Sequence, residues 1–205
     1  MTAFKTTAVW KKTAALTPEA APFAIRAERA SDVVAREALL DASFGESRHA
    51  RTCQRLRDGR APAEGLAFSV VHKGKLIGTV RLWHVSAGGI PALVLGPLAV
   101  DASCRKLGVG AALMNHALAT AKAHGHGAII LRGDAAYYAR FGFSAAKTSE
   151  LSLPGPFERD RLLAVELRDG ALDGAWGMIA ATGIKARRPR VRMGAKTRKL
   201  LVQAA

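Results

Sequence analysis

CRKLGVGAAL, residues Cys104–Leu113, decides how the rest of the chain is read. Two glycines one residue apart, Gly108 and Gly110, follow Arg105 and Lys106 and precede helix-favouring alanines and a leucine. Directly upstream, IPALVLGPLAV (90–100) is almost continuously apolar, which predicts a strand buried on both faces. Downstream, residues 108–124 suit a helix, with Val109, Leu113 and Ala117 recurring on one stripe. Glycines between a buried strand and a helix start sit where free backbone N–H groups and the helix dipole favour an anion. Gly108 and Gly110 let the chain turn tightly and leave main-chain nitrogen open to phosphate oxygens. Taken alone, the same residues equally make a plain structural turn. The P-loop spacing Gly-x-x-x-x-Gly-Lys-Ser/Thr is absent, and Leu113 stands where a Rossmann fingerprint needs its third glycine.

Outward from this centre the pattern alternates. FAIRAER (23–29) predicts a short strand, and Ser31-Asp32 opens a helix through VVAREALLDASF. An Arg-rich helical stretch is expected near 48–57. LAFSVVHKGKLIGTVRLWHV reads as a hairpin turning at Lys73-Gly74-Lys75, and Gly88-Gly89 makes the next turn. AIILR (128–132) predicts another buried strand and DAAYYAR a short helix capped by Asp134. FGFSAA and RLLAVEL (161–167) supply the last strands. No internal repeat or low-complexity segment interrupts the core. The order predicts an α/β chain on one mixed sheet, hairpin first and buried strand–helix–strand second.

A chain of 205 residues holds one substantial core, with 49% hydrophobic and 23% charged residues, as ordinary globular proteins do. The net charge of +15 suggests nucleic acid until it is mapped. Residues 185–205 carry eight basic side chains and no acid, whereas residues 24–184 hold 20 basic and 15 acidic ones, a surplus of only +5. The excess is therefore largely a tail, which gains weak affinity for polyanions such as RNA by releasing counterions. The expected organisation is an N-terminal arm (1–22), one domain (23–183) and a basic tail (184–205). No apolar run reaches the roughly 18 residues of a membrane span. The N-terminal stretch lacks the apolar core and cleavage site of a secretory signal, with a transit peptide as the minor reading. Cys53 and Cys104 form neither a disulfide framework nor a metal knuckle, which fits a reducing cytoplasm.

Arg105-x-x-Gly108-x-Gly110 after LGPLAVD resembles the acyl-CoA signature of the GNAT N-acetyltransferase superfamily. Tyr138, Gly142 and Phe143 match that family's Tyr-x-x-x-Gly-Phe ending, and LPGPF (153–157), RLLAVEL and GAL (170–172) look like its YhbS-like branch of predicted acetyltransferases. The resemblance covers about residues 24–183. It implies the acyl-CoA N-acyltransferase fold, one central mixed, mostly antiparallel sheet flanked by helices. It implies acetyl-CoA as cofactor, its pyrophosphate held by main-chain amides from Arg105 through Lys106, Leu107, Gly108, Val109 and Gly110 to Ala111. The strand at Leu98, Ala99 and Val100 would pair with the pantetheine arm, with the N–H of Val100 or Leu98 as oxyanion donor. Pro97 removes a donor and marks a bulge where neighbouring strands splay apart. Tyr138 matches the family tyrosine that protonates the departing sulfur; packing in an aromatic cluster is its other reading. Tyr137 is a packing or cofactor-side contact.

No general base is legible. The strand 90–100 contains no carboxylate or histidine. His84 with Ser86, Asp134, Glu46 and Glu64 are candidates with equally ordinary surface or capping roles. His124 and His126 flank Gly125 at a helix end and lack the further ligands of a metal site, so no metal is expected. Arg132 is either a strand-end surface residue or a partner for an anionic acceptor. Three functions remain open: N-acetyltransfer to an amine of a small molecule or protein, non-catalytic acyl-CoA binding, and recruitment to RNA or the ribosome by the tail. The family pattern allows a monomer or a homodimer.

Overall fold

A computed structural model describes residues 23–186, so the N-terminal arm and the basic segment from Arg187 onward lie outside the described residues. Within the described residues eight strands form one sheet: β1 (Ala24–Ala27), β2 (Ala67–His72), β3 (Lys75–Ala87), β4 (Ile90–Val100), β5 (Ala128–Arg132), β6 (Leu151–Ser152), β7 (Leu162–Glu166) and β8 (Gly177–Ala181). The main path is β1-β2-β3-β4-β5-β7, with β8 on the far half of β3 and β6 beside β8. Only β4–β5 and β6–β8 are parallel, so the sheet is mixed and mostly antiparallel. The hairpin turns through Lys73 and Gly74, both at positive φ, which the twist of a two-residue turn demands.

Among the described residues three α-helices accompany the sheet: α1 (Val33–Phe44), α2 (Val109–Ala123) and α3 (Ala135–Tyr138). Helix α2 buries Val109, Leu113, Met114, Ala117 and Ala121 against Phe68, Val80, Leu82, Leu93 and Ile129 of one sheet face. On the other face, Trp83, Val94 and Ile130 pack with Leu56 and Leu151, while α1 sets Leu39 and Leu40 on Leu76 and Ala99. A buried Leu or Ile contributes about 1.5–3 kcal/mol, so these two layers carry most of the driving force.

Strand β4 changes parity part-way. Leu82 faces Leu95 and Val80 faces Leu98, so Gly96 and Pro97 together oppose Arg81. This is a bulge, and it keeps Leu93, Leu98 and Val100 on the α2 face while Ala99 turns towards α1. The Gly96 carbonyl receives the buried Trp83 indole N–H at 2.7 Å. Arg81, opposite the bulge, is paired with Glu28, which also takes Arg36 at 2.5 Å. Arg36 reaches Glu37 at 2.6 Å, and Glu37 takes Arg48 at 2.6 Å. A line of ion pairs thus fastens α1 to the sheet beneath the bulge.

Ser31-Asp32 does open α1, but the Asp32 carboxylate caps no helix N–H of α1 and serves elsewhere: it takes Arg26 at 2.6 and 2.8 Å, the Arg29 N–H at 2.8 Å and the Ser69 hydroxyl at 3.0 Å. Arg26 above all, with those two donors, holds this carboxyl well below the usual carboxylate range. Two expectations are corrected further along the chain. Residues 48–57 form two 3-10 turns, Glu46–Ala50 and Thr52–Leu56, because only Leu56 is buried and no apolar stripe sustains an α-helix. FGFSAA makes no strand; Gly142 turns the chain at φ 83° and Ser144 alone bridges to Ala164. At the end of the domain, pairing continues past 183, with Ile184 accepting from Ala61 N–H at 2.8 Å and Ala186 donating to Gly59 at 2.9 Å.

Candidate active site

Strands β4 and β5 pair only at Leu93–Ile129 and Val94–Ile130 and then part. Beyond the bulge, β4 therefore has a free edge in the middle of the sheet. The Asp101 N–H donates to the Ile77 carbonyl at 2.8 Å. Antiparallel alternation then turns Ala99 towards Thr79 and aims the N–H groups of Leu98 and Val100 away from β3, into the gap.

A cleft of about 450 Å³ follows this edge, bordered by Leu98, Ala99, Val100, Arg105, Gly108, Gly110 and Ala111. Gly108 sits at φ +73° as the residue before α2, and a Cβ there would meet nothing within 4 Å, so the helix start is open. Val109 is fully buried in the core, leaving only its backbone available, while Lys106 and Leu107 are exposed and do not border the cleft. Tyr137 and Arg140 border it as well. A backbone edge that lacks a partner, leading to an open helix N-terminus, suits an extended amide-bearing arm that ends in phosphates.

A second compartment of about 430 Å³ begins where the first ends, since Phe44 and Leu98 border both. Tyr138 lines it, in edge-on contact with Tyr137 at 5.0 Å and Phe143 at 5.9 Å between ring centres. Burial pushes the Tyr138 phenol up, with Tyr137 and Asp134 adding to the shift, so the hydroxyl keeps its proton.

Residues 33–143 match the model of the acetyltransferase (GNAT) family. The chain belongs to the GNAT family. It is 31% identical over 157 residues to the uncharacterized N-acetyltransferase YhbS of Escherichia coli K12, covering 76% of this chain and 93% of the relative. A crystal structure of YhbS from Escherichia coli in complex with CoA matches with a TM-score of 0.69 at 30% identity, over 81% of this chain and 93% of that one. A GNAT acetyltransferase from Brucella melitensis in complex with acetyl-CoA shares the fold, with a TM-score of 0.52 at 24% identity over 74% and 98% of the two chains.

Most of the other candidates in this GNAT chain lie outside the two compartments. Asp134 caps α3, accepting the Tyr137 N–H at 2.7 Å. His84 lies against His126, ring centres 5.4 Å apart, in a separate hollow with Gly125 and Arg168. Glu46 and Glu64 border neither compartment. Arg132 lines the second compartment but is paired with Glu158, Nε to carboxylate 3.0 Å. Among the described residues no group of three or more His, Cys, Asp or Glu is placed to hold a metal. No described helix is long and apolar enough to cross a membrane.

Sequence reasoning missed Arg57 and Gly133. A Cβ at Gly133 would fall 2.1 Å from the Tyr138 ring, so this glycine seats the aromatic plane. Gly133→Ala is expected to displace the ring and lower kcat by about ten- to a hundredfold, since misplacement by about 1 Å costs that much. Steady-state kinetics with circular dichroism checks it; an unaltered kcat would show that the ring needs no such seat.

Proposed function

We propose that this GNAT protein is an acetyl-CoA-dependent N-acetyltransferase acting on a primary amine of a small molecule or protein. The observation that carries this reading is the free β4 edge, which runs from the open start of α2 to the compartment holding Tyr138. Acetyl-CoA supplies the activated acetyl group: a C–N bond forms, the C–S bond breaks, one proton leaves the amine and one reaches the sulfur. The amides between Arg105 and Ala111 and the α2 N-terminus hold phosphates, with Arg105 and Arg140 adding positive charge. Leu98 and Val100 donate N–H bonds to the extended arm, and one of them faces the oxygen on which negative charge develops. Tyr138 Oη keeps the proton that a thiolate needs. No carboxylate or imidazole borders the second compartment among the described residues, so the amine loses its proton to solvent.

Cys53 and Cys104 are both free, which supports work in a reducing compartment such as the cytoplasm. Apart from Lys185, the basic side chains that carry the proposed RNA affinity of the tail lie outside the described residues.

Thermal unfolding with coenzyme A, acetyl-CoA and ATP, followed by thiol release with an amine panel, tests the reading. A ligand at 100 times its Kd adds about 2.7 kcal/mol to native stability. A raised midpoint with both coenzyme A species but not ATP is expected, with amine-dependent thiol release. Binding without any turnover would favour a non-catalytic acyl-CoA module; no binding would reject both.

A further inference from the structure

The second compartment is lined by five arginines: Arg48, Arg51, Arg55, Arg57 and Arg132. No carboxylate lines it among the described residues. Two of the five are neutralised, Arg48 by Glu37 and Asp41 and Arg132 by Glu158. Arg55 gives Nη1 to the Pro154 carbonyl at 2.6 Å, and Arg51 lies over the Phe44 ring, 5.1 Å from its centre. Arg57 is different. Its guanidinium donates to no described protein group, and its Nε is buried without a partner.

A guanidinium nitrogen buried without a partner is costly, and an anionic ligand in the compartment would compensate the charge it belongs to. Burial already lowers the Arg57 pKa, the mark of a charge lacking compensation. Its position is informative too. A Cβ built on Gly96 would lie 3.4 Å from Arg57 Nη1, which sets the guanidinium beside the bulge where β4 begins to splay. Arg57 thus borders the same compartment as Tyr138, at the mouth of the free β4 edge.

Resting on the acetyltransferase reading, we infer that the acceptor is an amine that also carries a carboxylate, and that Arg57 is the group that binds this carboxylate. The planar guanidinium fork matches two carboxylate oxygens, whereas an uncharged or purely cationic amine leaves it bare. A compartment of about 430 Å³ holds a molecule of amino-acid size. The unneutralised arginines also disfavour an ammonium group beside them, so the acceptor nitrogen is biased to its neutral, nucleophilic form where no general base stands.

The test reads binding rather than turnover. N-acetylated ω-amino acids of two to six carbons, their primary amides and plain N-alkylacetamides are titrated by calorimetry into the full-length protein saturated with coenzyme A. At least one acid should bind about tenfold or more tightly than its amide, as expected for hydrogen bonds to a charged group. Arg57→Gln should erase that preference while coenzyme A affinity holds. Its unfolding midpoint should stay within a few degrees of the wild type, because the Arg57 side chain makes no hydrogen bond or ion pair that the variant would lose. Acids no tighter than amides, a preference that survives Arg57→Gln, or a midpoint lowered by more than a few degrees would each overturn the inference. Wild type that fails to bind coenzyme A would instead sink the acetyltransferase reading, which separates the two failures.

Discussion

Tyr138→Phe lowers kcat by about two to four orders of magnitude, the span a positioned general acid contributes, while acetyl-CoA binds as before. Phe fills the same volume and keeps the edge-on contacts with Tyr137 and Phe143, so only the hydroxyl is lost. Burial raises the phenol above its ordinary value near 10, and the acid form is lost only as pH rises through that raised value. In the wild type, the limb of the pH–rate profile belonging to this group therefore falls on the alkaline side, and it vanishes in the variant. Stopped-assay kinetics beside a coenzyme A titration decide the matter. A kcat within twofold of wild type would remove Tyr138 from the chemistry.

Gly108→Glu abolishes coenzyme A binding, by about a hundredfold or more, with little loss of fold. An L residue in the left-handed conformation costs about 1–2 kcal/mol, and Gly108 adopts φ +73°. A carboxylate at a helix start returns about 0.3–1 kcal/mol through the dipole. The net change in stability is thus near 1 kcal/mol, while the introduced charge repels phosphate from the amides it would occupy. Gly108→Ala separates the two effects, because it carries the strain without the charge. The coenzyme A-induced rise in unfolding midpoint should survive Gly108→Ala and vanish in Gly108→Glu. A rise retained in Gly108→Glu would mean that phosphates bind elsewhere.

Much of this geometry was legible before any coordinates. The apolar run 90–100, the glycines at 108 and 110 and the stripe Val109, Leu113, Ala117 are local signals, and α2 and β4 form where they point. Pro97 announced the bulge because a missing N–H cannot serve an interior ladder. The segment 46–57 was harder, since its arginines show no period and part of what holds its turns lies about a hundred positions away, such as Thr52 to Pro156 at 2.5 Å. β6 is two residues long, too short for alternation to register, and β8 offers a single buried position, Ile179. Gly133 reads as an ordinary loop glycine until the Tyr138 ring is folded onto it. The charge balance around Arg57 is likewise a sum over residues that meet only in the folded chain.

The free edge of β4 also bears on self-association. Unpaired strand edges invite other chains to add to them, and most sheets guard their rims with charge, proline or a covering helix. Here the open donors lie between β4 and β5, inside the strand order, and not at either rim. A foreign strand would have to force two neighbours apart that are already joined at Leu93–Ile129 and Val94–Ile130. A slender, side-chain-free ligand faces no such obstacle. By opening the sheet from within, the fold offers strand-type hydrogen bonding to a small molecule without offering a template for aggregation.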